Sequence, residues 1–251
     1  MTDAQLEALL CQALHPEIPP EALTVHNRKL RKGKYMNIRK TMKHVCIAAA
    51  LMAMLVTTVY AADGLNIKTL VSGMNSRTCK TVEEAERRAG FGMDAAEKFS
   101  NGYSLESIQV VETKGLDQDD NVRLTYNEIN ITLQAPGGNI LHLFAYPKND
   151  SISATDLPPQ QTMVIGETTV SYRVDHYKFV PEKYTQTEAD KVWLQQPGNF
   201  MSYGSDTIEE TDVAFLYWEK EGIQYTLLDS DADEPAASLF TMASELILNG
   251  K

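Results

Sequence analysis

Asp117, Asp119, Asn121 and Glu128 fall at positions 1, 3, 5 and 12 of one short span. Oxygen ligands at that spacing are what a helix–loop–helix calcium site uses, because a hard cation gathers carboxylates around a tight loop. That loop needs Gly at position 6 for its turn. Val122 stands there, and a strand-like segment follows in place of a helix. The four residues therefore read as a solvated acidic turn. Asp229, Asp231 and Asp233 repeat the alternation, but Phe240 occupies position 12. Asp233 and Glu234 are expected instead as N-terminal caps of a final helix, where carboxylates suit free N–H groups and the helix dipole.

Other residue types offer no stronger chemistry. His142 lies within a predicted strand and His176 among aromatic residues, so both are expected to be structural. Cys79 is the one cysteine in 63–251 and has no sequence neighbour that would activate its thiol. No HExxH, GxSxG, SxxK or Gly-rich phosphate loop occurs. The expectation is a chain with no catalytic residues, no metal site and no cofactor, hence not an enzyme.

Charge divides the chain sharply. Arg28, Lys29, Arg31, Lys32, Lys34, Arg39, Lys40 and Lys43 form a basic block without a single acid, and Val45–Ala62 carries no charged side chain at all. An apolar run of that length reaches the short end of what spans a bilayer as a helix. A transmembrane helix is expected at 44–62. The basic flank holds the N-terminus in the cytoplasm. It also suits anionic lipid headgroups. Val59-Tyr60-Ala61 supplies the small residues that signal peptidase prefers, so release by cleavage after Ala61 stays open beside the uncleaved anchor. Residues 63–251 hold 30 acids against 15 Lys/Arg, a net charge of about −15. So acidic a surface excludes nucleic acid, whose phosphates need neutralising.

The remaining pattern gives the elements. Leu6, Leu9, Leu10 and Leu14 share one face of an amphipathic helix predicted at 3–14, within a short cytoplasmic segment, 1–43. Residues 63–80 read as a juxtamembrane connector. In 81–251, Thr81-Val82-Glu83-Glu84 is a capping box with Gly90 as the helix stop. Alternating runs then predict three hairpins: Ile129–Leu133 with Ile140–Tyr146, Met163–Ile165 with Thr169–Val174, and Val213–Trp218 with Ile223–Leu228. A short helix at 187–194 and a last helix opened by Pro235 complete an α+β domain, an antiparallel sheet with helices at its ends.

The order of parts also carries a resemblance. MTDAQLEALLCQALHPEIPPE precedes the basic run and membrane segment, and TVEEAERRAGF, YKFVPEKY, FMSYGSD, WEKEGIQYTLL and SLFTMASELI follow. This resembles anti-sigma-factor-like single-pass membrane proteins of Gram-positive bacteria, whose extracytoplasmic domain has no known function. The resemblance implies a regulatory protein, with Leu6, Leu9, Leu10 and Leu14 facing a cytoplasmic sigma factor and the outer domain sensing an unidentified ligand or envelope state. One departure stands out. Zinc-type anti-sigma domains carry His-x3-Cys-x2-Cys, whereas Cys11, His15 and His26 are differently spaced. The rival reading is a secreted or surface binding module, and a third is an envelope hydrolase.

Overall fold

The computed structural model describes residues 69–117, 119, 121–149 and 157–250. The helix expected at 3–14 with its leucine face, the basic flank, the apolar run at 44–62 and the connector as far as residue 68 lie outside them. Among the described residues, no helix is long and apolar enough to cross a membrane.

Nine strands make one sheet: β1 (Thr69–Cys79), β2 (Ser104–Leu116), β3 (Val122–Gln134), β4 (Ile140–Pro147), β5 (Gln161–Ile165), β6 (Thr168–Val180), β7 (Asn199–Tyr203), β8 (Glu209–Lys220) and β9 (Ile223–Asp229). The spatial order is β1-β2-β3-β4-β9-β8-β6-β5, with β7 attached to β6. Every pairing is antiparallel except β6 with β7. Among the described residues, three helices accompany the sheet: α1 (Val82–Ala89), α2 (Glu188–Trp193) and α3 (Ala236–Asn249). The fold is thus a large, mostly antiparallel sheet with few helices.

The three expected hairpins form, because turn residues sit where the backbone must reverse. Gly138 (φ 93°) closes β3–β4, and Gly166 (φ 61°) closes β5–β6. The β8–β9 loop is tighter than Glu219–Gly222 suggested. Strand pairing continues to Lys220 and Ile223, which leaves two turn residues, Glu221 (φ 52°) and Gly222 (φ 75°). Positive φ at both is what a two-residue turn matched to strand twist requires.

Alternation sends side chains to two faces. One face presents Ile108, Val110, Ile129, Ile131, Leu133, Leu143, Leu216, Trp218 and Leu227. It forms one core with Ala85 of α1 and with Leu239, Phe240, Met242, Ala243, Leu246 and Ile247 of α3. The WEKEGIQY segment is packing chemistry: Trp218 and Tyr225 stack in parallel at 5.1 Å. Lys220 reaches Asp94 at 2.7 Å and the Ile247 carbonyl at 3.0 Å, tying the α1–β2 loop to the end of α3. The opposite face gathers Phe144, Tyr177, Phe179, Val213, Phe215 and Leu228.

Several local expectations are corrected. Residues 69–79 are strand, not connector, so the folded domain begins before Thr81. Residues 75–78 are polar and exposed. They carry no burial pattern, and the backbone ladder to β2 places them. At α1, Thr81 accepts from the Glu84 N–H (3.2 Å), but the Glu84 carboxylate accepts from Lys80 N (2.9 Å) rather than from Thr81 N. Half of the capping box is present, one residue out of step. Asp233 and Glu234 do not cap α3. Pro235 is the N-cap residue and no side chain caps it. Glu234 instead accepts from the Tyr103 hydroxyl (3.0 Å). Strand β7 was not expected at all.

Candidate functional site

At one end of the sheet, four elements converge on an open concavity of about 460 Å³ lined by His176, Tyr177, Trp193, Glu210, Thr211, Asp212 and Asp231. Strand register brings the pieces together, since His176 pairs with Asp212 and Lys178 with Glu210 across β6 and β8. Side chains directly opposite one another on a sheet are in contact range. His176 Nδ1 meets Asp212 Oδ1, and Lys178 Nζ reaches Glu210 Oε1 at 3.2 Å. His176 and Asp212 are each about half exposed, at 52% and 56%.

Trp193 is held from both sides. It ends α2, whose N-cap Thr187 forms a full capping box with Asp190. Asp190 also accepts from Lys178 Nζ (2.8 Å) and from the Tyr184 hydroxyl (2.7 Å). Lys178 above all, then the Thr187 N–H and the Tyr184 and Thr187 hydroxyls, hold its carboxyl well below the usual aspartate range. Asn199 Nδ2 donates to the Trp193 carbonyl (2.9 Å), so β7 fixes the helix end. Asp231 comes from the β9–α3 turn. There the buried Asp229 accepts from Asp231 N (3.2 Å) and Glu234 N (2.7 Å).

Thr211 Oγ1 donates toward the carbonyls of Asp212 (3.3 Å) and Ser230 (3.4 Å), so its proton is committed to backbone. Cys79 is buried elsewhere, and burial pushes its thiol up. Neither presents a nucleophile to the His176–Asp212 pair.

The sequence-derived sites are placed apart. Asp117 is the hub of its own turn: its carboxylate accepts from Asp119 N and Asn121 N, both at 2.9 Å, and pairs with Arg123. Those hydrogen bonds, the Asn121 N–H first, lower its pKa to about 2. Glu128 is on the far side of the register shift, buried within β3 opposite Val111. The four residues are therefore not assembled around one point. Among the described residues, no group of three or more His, Cys, Asp or Glu could hold a metal ion. His142 is buried on β4, stacked on Phe144 at 6.1 Å. His176, expected to be structural, lies on the concavity wall, paired with Asp212. Asp231 was weighed only within the Asp229–Asp231–Asp233 cluster, and the residues that sequence reasoning missed are Glu210, Thr211 and Asp212. The one available signal was the polar stretch Glu209–Asp212 at the start of an otherwise apolar strand.

No family model, curated protein or solved structure matches this chain.

Proposed function

We propose that this chain is a non-enzymatic, membrane-anchored sensory or regulatory protein, with an anti-sigma role as its specific form. The observation that carries the reading is the position of β1. It is an edge strand of the sheet, paired among the described residues to β2 alone, and its first residue, Thr69, follows the charge-free run Val45–Ala62 after only six residues. A domain joined to a membrane segment through its outermost strand can pass a change in its own stability to that segment, because edge strands are released at least cost. The committed hydroxyl of Thr211 and the buried thiol of Cys79 support the non-enzymatic part. Val59-Tyr60-Ala61 favours a second reading, a surface or secreted binding module freed after Ala61.

The test is to express the full chain with a C-terminal tag in a Gram-positive host, then determine the mature N-terminus by mass spectrometry and identify co-purifying proteins. Retention of residues 1–62 in the membrane fraction, with a sigma factor captured and then lost in Leu10→Asp, is the expected result. A chain beginning at Ala62 overturns the anchor. An intact chain that captures no sigma factor overturns the anti-sigma role.

A further inference from the structure

We propose that β5 is a docking edge for a second copy of this chain: two β5 strands pair antiparallel about a two-fold axis at Met163, joining two sheets into one. The inference needs neither a membrane anchor nor a sigma factor, so it stands apart from the signalling reading. β1, the strand that follows the apolar run, is at the opposite end of the strand order and stays clear of this edge.

A sheet edge offers unpaired N–H and C=O groups, and folds blunt it with charge, bulges or Pro. The two ends of this sheet differ. β1 carries Arg77, a register shift between Ser72 and Ser76, and polar exposed residues at 75–78. β5 has no charged residue and an unbroken register, and among the described residues it pairs with β6 alone. Its Met163 is 44% exposed and its Val164 69%. Pro158-Pro159 precede it and the Gly166 turn follows, which limits the open edge to five residues. Met163 is opposite Val170, a core residue, so it points to the α3 face. Leu248 of α3, 64% exposed, reaches the same end: its Cδ2 is 3.9 Å from where a Cβ on Gly166 would sit.

Charge and symmetry select the occupant. Residues 63–251 hold 30 acids against 15 Lys/Arg, so two copies repel except where a contact is free of charge. β5 supplies such a stretch. An acidic peptide would be repelled, and a basic one would find no carboxylate on β5 to meet. Paired residues share a face, so a two-fold axis must fall on a residue and not between two. Overlap of all five residues puts that axis on Met163. Thr162 then faces Val164 of the second copy, a β-branched pair suited to a sheet, and Gln161 faces Ile165. The two copies of Glu167 end up about 27 Å apart at 3.4 Å per residue, well past the roughly 8 Å screening length. The axis also keeps both α3 helices on one side of the joined sheet, so Met163 and Leu248 of the two copies share a face. Five paired residues bury less than the roughly 1,200 Å² of stable interfaces, which makes the dimer a weak, concentration-dependent one.

The test uses the full chain in detergent with Cys11→Ser and Cys46→Ser, which leaves the buried Cys79. Mild oxidation of Met163→Cys in that background should give a disulfide dimer, since directly opposite residues on paired strands are about 4.5–5.5 Å apart, within disulfide range. Thr162→Cys and Val164→Cys should each stay monomeric alone and cross-link when mixed. Sedimentation of wild type should show a reversible monomer–dimer equilibrium, weakened about tenfold or more by Val164→Lys, which puts a charge on each edge. Val164 is at the surface, so an unchanged circular dichroism spectrum should accompany that variant. The proposal is overturned if wild type is monomeric at every concentration, if Met163→Cys fails to cross-link, or if Thr162→Cys alone cross-links as readily. Dimerisation of Val164→Lys equal to that of wild type also overturns it, because the contact is then elsewhere, in the apolar segment or another face.

Discussion

Replacing Glu128 with Gln should make the domain more stable, and increasingly so as pH rises. Glu128 is 1% exposed on β3. Tyr126 and Tyr146, whose hydroxyl pKa values burial first and then its charge raise, are near it. Burial pushes its carboxyl from 4.5 up to about 8, only partly offset by a hydrogen bond from Asn130. The folded chain therefore keeps a proton that the unfolded chain has lost between about pH 4.5 and 8. A group whose folded pKa is raised destabilises the fold progressively across that window, and the loss levels off above 8. A separation of about 3.5 units at roughly 1.4 kcal/mol each gives on the order of 5 kcal/mol as the upper limit. Gln keeps the shape and cannot ionise. Wild type and Glu128→Gln should thus be nearly equal in stability near pH 4. The variant should gain roughly 1.4 kcal/mol per pH unit above that, reaching about 3–5 kcal/mol at pH 8. The assay is urea unfolding of both full chains in detergent at pH 4.5, 6 and 8, followed by tryptophan emission. Comparing two proteins cancels the titration of groups they share, including Asp175 and Asp229, which burial also shifts upward. A stability gap that stays constant with pH, or favours wild type at pH 8, refutes the reasoning.

Other sites give complementary outcomes. Leu246→Ala, at a fully buried position of α3, should cost about 2–5 kcal/mol in urea unfolding, whereas Leu248→Ala, 64% exposed on the same helix, should stay within about 0.5 kcal/mol. Asp190→Asn should lower the melting temperature at pH 7 and shift Trp193 emission. Because Lys178, Thr187 and Tyr184 depress the Asp190 pKa, its stabilisation is present above the ordinary value of 3.8 and lost as pH falls below it; the variant should lack that acid-side loss in thermal melts at stepped pH. Gly222→Ala should destabilise by on the order of 1 kcal/mol through backbone strain alone, since φ is 75° and no atom lies within 4 Å of the added Cβ. Urea unfolding checks it, with Gly137→Ala as a control at a glycine of ordinary φ.

Local signals in the sequence were sufficient for the elements that carry their own instructions. Gly138, Gly166 and Gly222 mark turns by backbone need, and the apolar stripe of α3 and the αL stop at Gly90 follow from periodicity and capping. Elements set by partners were not legible. Residues 75–78 of β1 have no apolar alternation and are strand because β2 offers a ladder. Strand β7 is placed by its parallel pairing to β6, which no short-range pattern announces. The concavity was hidden for the same reason. His176, Trp193, Asp212 and Asp231 each read alone as a polar strand end, helix end or turn; the β6–β8 register joins His176 to Asp212, while the end of α2 and the β9–α3 turn bring Trp193 and Asp231. The calcium-like spacing failed in the converse way. Its order along the chain suggests a ring of ligands, but Asp117 is consumed by its own turn and Glu128 is carried away by the strand.

The sheet consists of two sequential halves, β1–β4 and β5–β9, joined only where β4 meets β9. His142 finds Leu228 and Leu143 finds Leu227, partners near the opposite end of the domain. A chain is made from its N-terminus, so the β1–β4 meander emerges with β4 as an open edge well before its partner exists. β4 is the most continuously buried strand described, with Ile140 to Tyr146 all buried in the finished domain. During synthesis and any passage through a membrane, that stretch is a sticky template for neighbouring chains. Closure also spans a long loop, which slows folding relative to hairpin formation. Yield of this domain should therefore be limited by the waiting time for β9 and α3, so that truncations after Pro147 aggregate instead of folding as a smaller sheet.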